Sequence, residues 1–382
     1  MGKRVLRTKL CDMLNIEYPI LSAGMGPNLL GEETGAPVEL AAAVSEAGGL
    51  GVLGASGYSL EELRQAINDV RSRTDKPFGV DLLLPKNLTE MEQVGEANEV
   101  PLDDMLETLP RSHQEWIKKI KKDLDLPDAE IMVKLNSTTM RPAEAVKICI
   151  EEKIPLFCAG LGNPGFMVEE AHANGIKVLG ITGNTKNARR MAESGIDLLV
   201  AQGHEAGGHT GRIGTMALLP AAIDAAAPVP VLAAGGIGDG RGLAAALAMG
   251  CVGVWVGTRF LATTEGGAPE VIKDNITQAT DEDTRVSTMF TGKTLRSLYS
   301  KFHEAWAESG LDSLPFPLQV LISSALLGSF IKANEVDYIG GFAGQISGII
   351  KEIKPAGQVL EDMVEEAADI LTTKLPQNVT VE

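Results

Sequence analysis

The run Gly203-His204-Glu205-Ala206-Gly207-Gly208-His209-Thr210-Gly211 puts two imidazoles and a carboxylate on a glycine-rich loop, directly after an apolar stretch from Asp197 to Gln202 that reads as a buried strand. Histidine ordinarily titrates at about 6.5, so it can take or give a proton at neutral pH without special tuning. His209, between Gly208 and Thr210 at the loop tip, is placed to reach a bound ligand and is the candidate general acid or base. His204 follows the strand by two residues and is expected to turn into the wall of the fold. Glu205 is expected to stabilise the loop. A second signature, Val231 to Gly242, carries an apolar strand into Gly235-Gly236 and then into a helical pattern. Backbone N–H groups at such a turn and at a helix N-terminus bind anions, a phosphate above all. A third, Pro19 to Pro27, ends a strand on Ala23, Gly24 and Met25, where small residues admit a planar ring and methionine covers it softly.

Other chemistries find no residues. There is no HExxH and no cysteine pair at metal-ligand spacing, so no metal site is expected. No GxSxG elbow supports a Ser/His/Asp hydrolase, and Gly235 to Gly240 does not match the GxGxxG dinucleotide fingerprint. His113, in a charged segment, and His172, in a helix before Gly175, are expected at the surface. His303 falls in a helical stretch outside the strand pattern.

The elements that must position these loops are legible as apolar runs, many ending in glycine: Pro19 to Met25, Gly49 to Ser56, Phe78 to Leu84, Pro155 to Gly162, Lys177 to Gly183, Asp197 to Gly203, Pro230 to Gly236 and Gly253 to Phe260. Continuous rather than alternating apolar character predicts strands buried on both faces, as in a parallel sheet clad by helices. Helical patterns fit between them at Pro37 to Ala47, Ser59 to Arg73, Asn184 to Ser194 and Gly240 to Met249. Eight such units predict an α/β fold, a (β/α)8 TIM barrel with its site on the loops after the strands, where both glycine-rich loops fall. The barrel is expected over residues 1–263. An insertion at about 86–136, charged and partly helical from Leu88 to Asp125 and including the strand-like Ile131 to Asn136, follows the third strand. A smaller, mainly helical substrate-side domain is expected over 264–342, and a C-terminal helical segment over 343–382, amphipathic from Gln345 to Thr372, that packs back on the barrel.

The 382 residues carry 34 Lys and Arg against 51 Asp and Glu, a net charge of −17. Nucleic acid and anionic membranes demand a basic face, so neither is an expected partner. No segment supplies the roughly 18 consecutive apolar residues of a membrane span. The basic N-terminus lacks a following apolar core, which predicts no secretory signal. Cys11, Cys149, Cys158 and Cys251 are scattered, as expected of reduced thiols in a cytoplasmic protein, with Cys158 and Cys251 in the core.

Nearly the whole chain resembles the nitronate monooxygenase family, formerly the 2-nitropropane dioxygenases. The resemblance rests on Pro19-Ile20 through Met25, Ala41 through Gly51, Lys76-Pro77-Phe78-Gly79-Val80, Glu205 to Gly211, Ala234 to Gly242, and Gly257-Thr258-Arg259-Phe260-Leu261. It implies FMN at the barrel mouth, with the phosphate on Gly235, Gly236, Gly257 and Thr258 and the ring near Ala23, Gly24 and Met25, beside Gln202 and the Gly207-Gly208 backbone. It also implies that His209 is the active-site histidine, removing the α-proton of a nitroalkane or orienting a preformed nitronate. Where the family often has asparagine after Phe-Gly-Val, this chain has Asp81, whose carboxyl would alter hydrogen bonding at the flavin pyrimidine edge. The expected reaction is oxidation of alkyl nitronates by O2 to carbonyl compounds and nitrite. The alternatives are an FMN enzyme that draws electrons from NAD(P)H to reduce an enoyl thioester or quinone, and a non-catalytic flavin-binding barrel. A homo-oligomer is compatible with all three.

Overall fold

The computed structural model describes residues 6–26, 34–84, 99–134 and 136–380. Eight parallel strands, β1 (Ile20–Ser22), β2 (Val52–Gly54), β3 (Gly79–Leu83), β4 (Leu156–Leu161), β5 (Lys177–Thr182), β6 (Leu198–Gln202), β7 (Val231–Ala234) and β8 (Gly253–Val256), are hydrogen-bonded in chain order, with β8 beside β1. A bridge between Leu21 and Leu50 brings β1 and β2 together and nearly closes the ring. The chain is thus a TIM barrel, and its strands are the eight apolar runs of the sequence.

Alternation along each strand divides the apolar residues between two cores. Val80, Leu82, Val178, Leu199, Ala233 and Val254 point outward and pack under the helices. Leu21, Val52, Leu156, Cys158, Leu179, Val200, Leu232 and Trp255 fill the lumen. The helix Lys9–Leu14 belongs to the luminal core through Leu10, Cys11 and Leu14, and is tied beside β8 by the Thr8 hydroxyl, which donates to the Val252 carbonyl. The cladding helices begin where the sequence provides caps. Ser59 and Glu62 form a reciprocal capping box at Leu60–Arg73, and Asn184 caps Thr185–Glu193. All four cysteines are buried and unbridged. Among the described residues, no helix is long and apolar enough to cross a membrane.

A third apolar core lies outside the barrel. It joins Leu102, Leu109, Trp116, Ile117 and Ile120 of the insertion to Phe290, Phe302, Leu326 and Phe330 of the region after the barrel. Trp116 stacks on Phe302 at 6.4 Å and meets Trp306 edge-on at 5.1 Å. The insertion and the post-barrel segment are therefore one packed unit, called the cap below. The part of the insertion before residue 99 lies outside the described residues. The strand-like run keeps a strand at Met132–Lys134, paired antiparallel with Glu99–Pro101 away from the barrel. The helices Glu270–Gln278, Lys301–Ser309 and Leu318–Lys332 account for the helical character after residue 264, and a hairpin of Thr284–Ser287 with Leu295–Leu298 is added to them. The tail forms the helix Ala356–Asp369, whose Val359, Leu360, Met363, Val364 and Ala367 enter the outer barrel core beside Gly240–Ala248.

His113 is the one clear correction among the surface expectations. It is 6% exposed, with Nε2 3.0 Å from the Asp312 carbonyl, because the amphipathic helix Arg111–Asp123 turns that face toward the cap core. His172 is exposed as expected and bonds Asp197 at 2.8 Å.

Candidate active site

At the C-terminal ends of the strands the inward positions pass from branched side chains to Ala23, Gly54, Gly160, Ala234 and Gly257, leaving a shallow floor above the packed lumen. Two polar side chains interrupt it, Asp81 on β3 and Gln202 at the end of β6. Asp81 fits because Gly24 and Gly160 lie against it. A Cβ at Gly24 would stand 2.2 Å from the Asp81 Cβ, and one at Gly160 would stand 2.8 Å from Oδ1. Asp81 is 6% exposed and its Oδ1 has no hydrogen-bond partner among the described residues. Burial pushes its carboxyl well above the usual carboxylate range, only partly offset by a hydrogen bond from the Gly160 backbone. Gln202 donates from Nε2 to the His209 carbonyl at 2.8 Å, fixing the loop to the strand that precedes it. Met25 touches all three apolar cores at the edge of this floor.

The two histidines of the loop part company. His204 Nδ1 lies 2.7 Å from the Gly211 carbonyl, so this ring closes its own loop. Glu205 accepts from the Thr215 N–H and hydroxyl at 2.9 Å, stabilising the same turn. His209 faces the cap instead, with Nε2 2.9 Å from the Thr291 hydroxyl. Its backbone is held as well, because Gly208–His209 pairs antiparallel with Leu295 and Arg296 of the cap hairpin. Burial, and secondarily the nearby Lys293 charge, push His209 down to about 4, so at neutral pH the ring is neutral and a weak base. The Lys293 ammonium also sits 4.7 Å from the Phe316 ring centroid.

Gly235 and Gly236 turn the chain after β7 at φ of 90° and 73°, a region natural to glycine, and their N–H groups have no acceptor among the described residues. The helix that follows offers no such donors. Asp239 accepts from the Arg241 and Gly242 N–H groups and Glu366 from that of Gly240, so two carboxylates occupy the N-terminus of Gly240–Ala248. The helix end expected to share in anion binding is thus already occupied by these carboxylates, and only the turn keeps unengaged N–H groups among the described residues. At the neighbouring turn, the Thr258 hydroxyl accepts from the Gly344 N–H at 3.0 Å, and Gln345 donates to the Glu205 carbonyl at 3.0 Å. The segment from Gly344 to Gln345 thus stitches the loop after β6 to the turn after β8.

The sequence reading missed Thr291, Lys293, Arg296 and Gly344. Arg296 is 4% exposed and donates from Nε and Nη2 to the His204 carbonyl and from Nη1 to the Thr284 hydroxyl. None of the four belongs to a motif, and no local pattern marks them. His303 is buried in the cap, its Nδ1 accepting from the Ser300 N–H at 3.2 Å and its Nε2 3.1 Å from the Ser297 hydroxyl, well engaged in packing. Among the described residues no cluster of His, Cys, Asp or Glu is arranged to hold a metal ion.

Residues 7–366 match the family model for nitronate monooxygenase. A curated relative from Staphylococcus haemolyticus, named a probable nitronate monooxygenase, is 31% identical over 95% of this chain and 98% of its own length. Among solved structures, a nitroalkane oxidase from Streptomyces ansochromogenes superposes with a TM-score of 0.77 at 27% identity, covering 96% of this chain and 99% of that one. FabK from Thermotoga maritima superposes with a TM-score of 0.74 at 32% identity, covering 98% and 100%. A match across nearly the full barrel and cap, joined to a small-residue floor and a histidine loop, makes this chain an oxidoreductase that belongs to the nitronate monooxygenase family.

Proposed function

We propose that the protein oxidises alkyl nitronates with O2, using FMN, to give a carbonyl compound and nitrite. The observation that carries this reading is the placement of His209 and Lys293 about one cap hydroxyl, that of Thr291, in a chain that matches the family over residues 7–366. Such a pair suits a substrate that already bears negative charge, which a cation attracts and an imidazole can orient. A base held near 4 is poorly matched to removing a proton from carbon. Neutral nitroalkanes are accordingly the slower substrates.

The residues present fit FMN. The floor at Ala23, Gly24 and Gly257 carries no bulky side chain against a flat ring; a Cβ built at Gly257 would meet nothing nearer than 3.6 Å, and one at Gly208 nothing within 4 Å. Asp81 Oδ1 and Gln202 offer polar atoms for a ring edge, with the Gly207-Gly208 backbone alongside. The free N–H groups of Gly235 and Gly236, with Gly257 and Thr258, suit the phosphate. Held there, FMN would supply the redox chemistry, the transfer of electrons from an electron-rich nitronate to O2. The protein's part is to hold the substrate anion against Lys293 and His209, to exclude water beneath the cap, and to set the Asp81 carboxyl, whose affinity for a proton burial raises, at the ring edge.

Likeness to FabK keeps a second reading in view, in which NAD(P)H supplies the electrons and an enoyl thioester or quinone receives them. Anaerobic stopped-flow spectroscopy separates the two. Rapid bleaching of the bound flavin by a nitronate, with slow bleaching by NADH and NADPH, is the expected result. The reverse order assigns the chain to the reductases.

A further inference from the structure

The Thr291 hydroxyl sits at a three-way junction. It lies 2.9 Å from His209 Nε2, it accepts from the Lys293 N–H at 3.3 Å, and it reaches the Lys293 carbonyl at 3.4 Å. A hydroxyl has one proton to donate and two lone pairs to accept with. If it donates to Nε2, its proton is spent and the Lys293 carbonyl contact goes unused. If Nε2 carries the proton, the hydroxyl accepts from both Nε2–H and the Lys293 N–H and donates to the Lys293 carbonyl, satisfying all three contacts at once. Thr291 is 4% exposed, so an arrangement that uses every polar contact is the stable one. Nδ1 of His209 has no partner among the described residues and is left with the lone pair.

We infer that Thr291 is a positioning residue, supplied by the cap, that fixes His209 in the Nε2–H tautomer and makes Nδ1 the nitrogen that shares a proton or hydrogen bond with substrate. The cap thereby sets the chemical state of a barrel residue. This rests on His209 being the active-site histidine, yet the tautomer is a property of the protein that can be read without turnover.

The sign of one measurement separates the two arrangements. A hydroxyl that accepts from the ring favours the imidazolium, so removing it lowers the titration midpoint of His209. A hydroxyl that donates to the ring favours neutral imidazole, so removing it raises the midpoint. The test uses full-length protein labelled with 15N-histidine, with H209Q to identify the His209 signals in long-range proton–nitrogen spectra. The expected result is the Nε2–H tautomer in the wild type, with a mixed tautomer and a lower midpoint in T291V, and wild-type spectra in T291S. An Nδ1–H tautomer in the wild type, a raised midpoint in T291V, or spectra indifferent to T291V each overturn the inference. A kinetic arm adds a second readout. T291V should lose about tenfold in kcat on the preferred nitronate, with FMN content unchanged and T291S restoring the rate. If the spectra behave as expected and the wild type oxidises no nitronate, the proposed reaction fails while the positioning role stands; if the rate of T291V is unchanged, the role in catalysis falls.

Discussion

On the barrel side of the candidate site the contributions come from the end of a strand or the turn just after it, at Ala23, Gly24, Gln202, Gly235 and Gly257, and from the middle of β3 at Asp81. On the cap side, Thr291 and Arg296 come from a hairpin whose strands pair with each other and with Gly208–His209, backed by an aromatic core drawn from two distant stretches of chain. Apart from Asp81 and Gln202, the barrel contributes by absence of side chain and by free backbone, whereas the cap contributes particular polar atoms to particular partners. Substitution by any larger residue should damage the first kind of surface, and loss of one functional group the second.

The largest expected effect tests the barrel side. Gly236→Asp adds a carboxylate at a positive φ beside Glu205, whose Cβ would stand 3.3 Å from the new one. Protein purified with this change should be colourless, where the wild type is expected to be yellow and to release FMN rather than FAD on acid denaturation. Stoichiometric FMN in the variant would place the phosphate elsewhere.

His209→Ala, at the meeting point of the two sides, comes next. Loss of a positioned proton-transfer group costs about 10²–10⁴-fold, and that loss is expected on any neutral nitroalkane the enzyme accepts, with a much smaller one on the corresponding nitronate. Equal slowing on both substrates at full FMN content would make His209 a binding or redox-tuning group instead.

Acid should sharpen the contrast, because the buried histidines inside the cap and at its contact with the barrel respond with the opposite sign to Asp81 on β3. Burial holds His209 and His303 at about 4, below the ordinary histidine value, so the unfolded chain protonates first. Their stabilising contribution is complete above about pH 6.5 and is lost as pH falls toward 4, at up to about 3 kcal/mol each. Asp81, raised by burial, acts the other way: the folded state keeps a proton that the unfolded state releases, so its contribution falls as pH rises above the ordinary carboxylate range. The cap should therefore loosen before the barrel on acidification. Trp116 and Trp306 report on the cap and Trp255 on the lumen, so fluorescence of a Trp255→Phe variant follows the cap alone. Simultaneous loss of cap fluorescence and far-UV dichroism would show a single cooperative unit.

Arg296→Met is the mildest. It removes charge-assisted hydrogen bonds to the His204 carbonyl and the Thr284 hydroxyl, for a cost of about 2 kcal/mol in urea unfolding. FMN content should hold, since Arg296 touches the loop from the cap side; a colourless variant would erase the division drawn above.

The same division explains what the sequence disclosed. Strands β1 to β8 were legible because burial on both faces writes itself as unbroken apolar runs, and glycine marks the turn after many of them. The candidate floor residues were legible for the same reason, being contiguous with those strands. The cap hairpin was not, because Thr-Arg-Val-Ser and Leu-Arg-Ser-Leu are four-residue strands with charged members and no apolar run. His113 was misplaced because its helix is rich in lysine, and only the partner face, contributed far along the chain, shows that one side of it is covered. Thr291 lies 82 positions from His209, a distance over which no local pattern carries information.

The stitch at Gly344 and Gln345 has a consequence for the order in which the molecule becomes complete. All eight strands lie before residue 257, and a chain ending before the stitch would retain each of them together with the hairpin and its threonine. It would lack the amide that engages Thr258 and the one that engages the Glu205 carbonyl. The loop after β6 and the turn after β8 would then lose this link across β7. Residues far downstream of the last strand thus supply the clasp between two loops of the barrel, and a chain with every strand in place would still lack it.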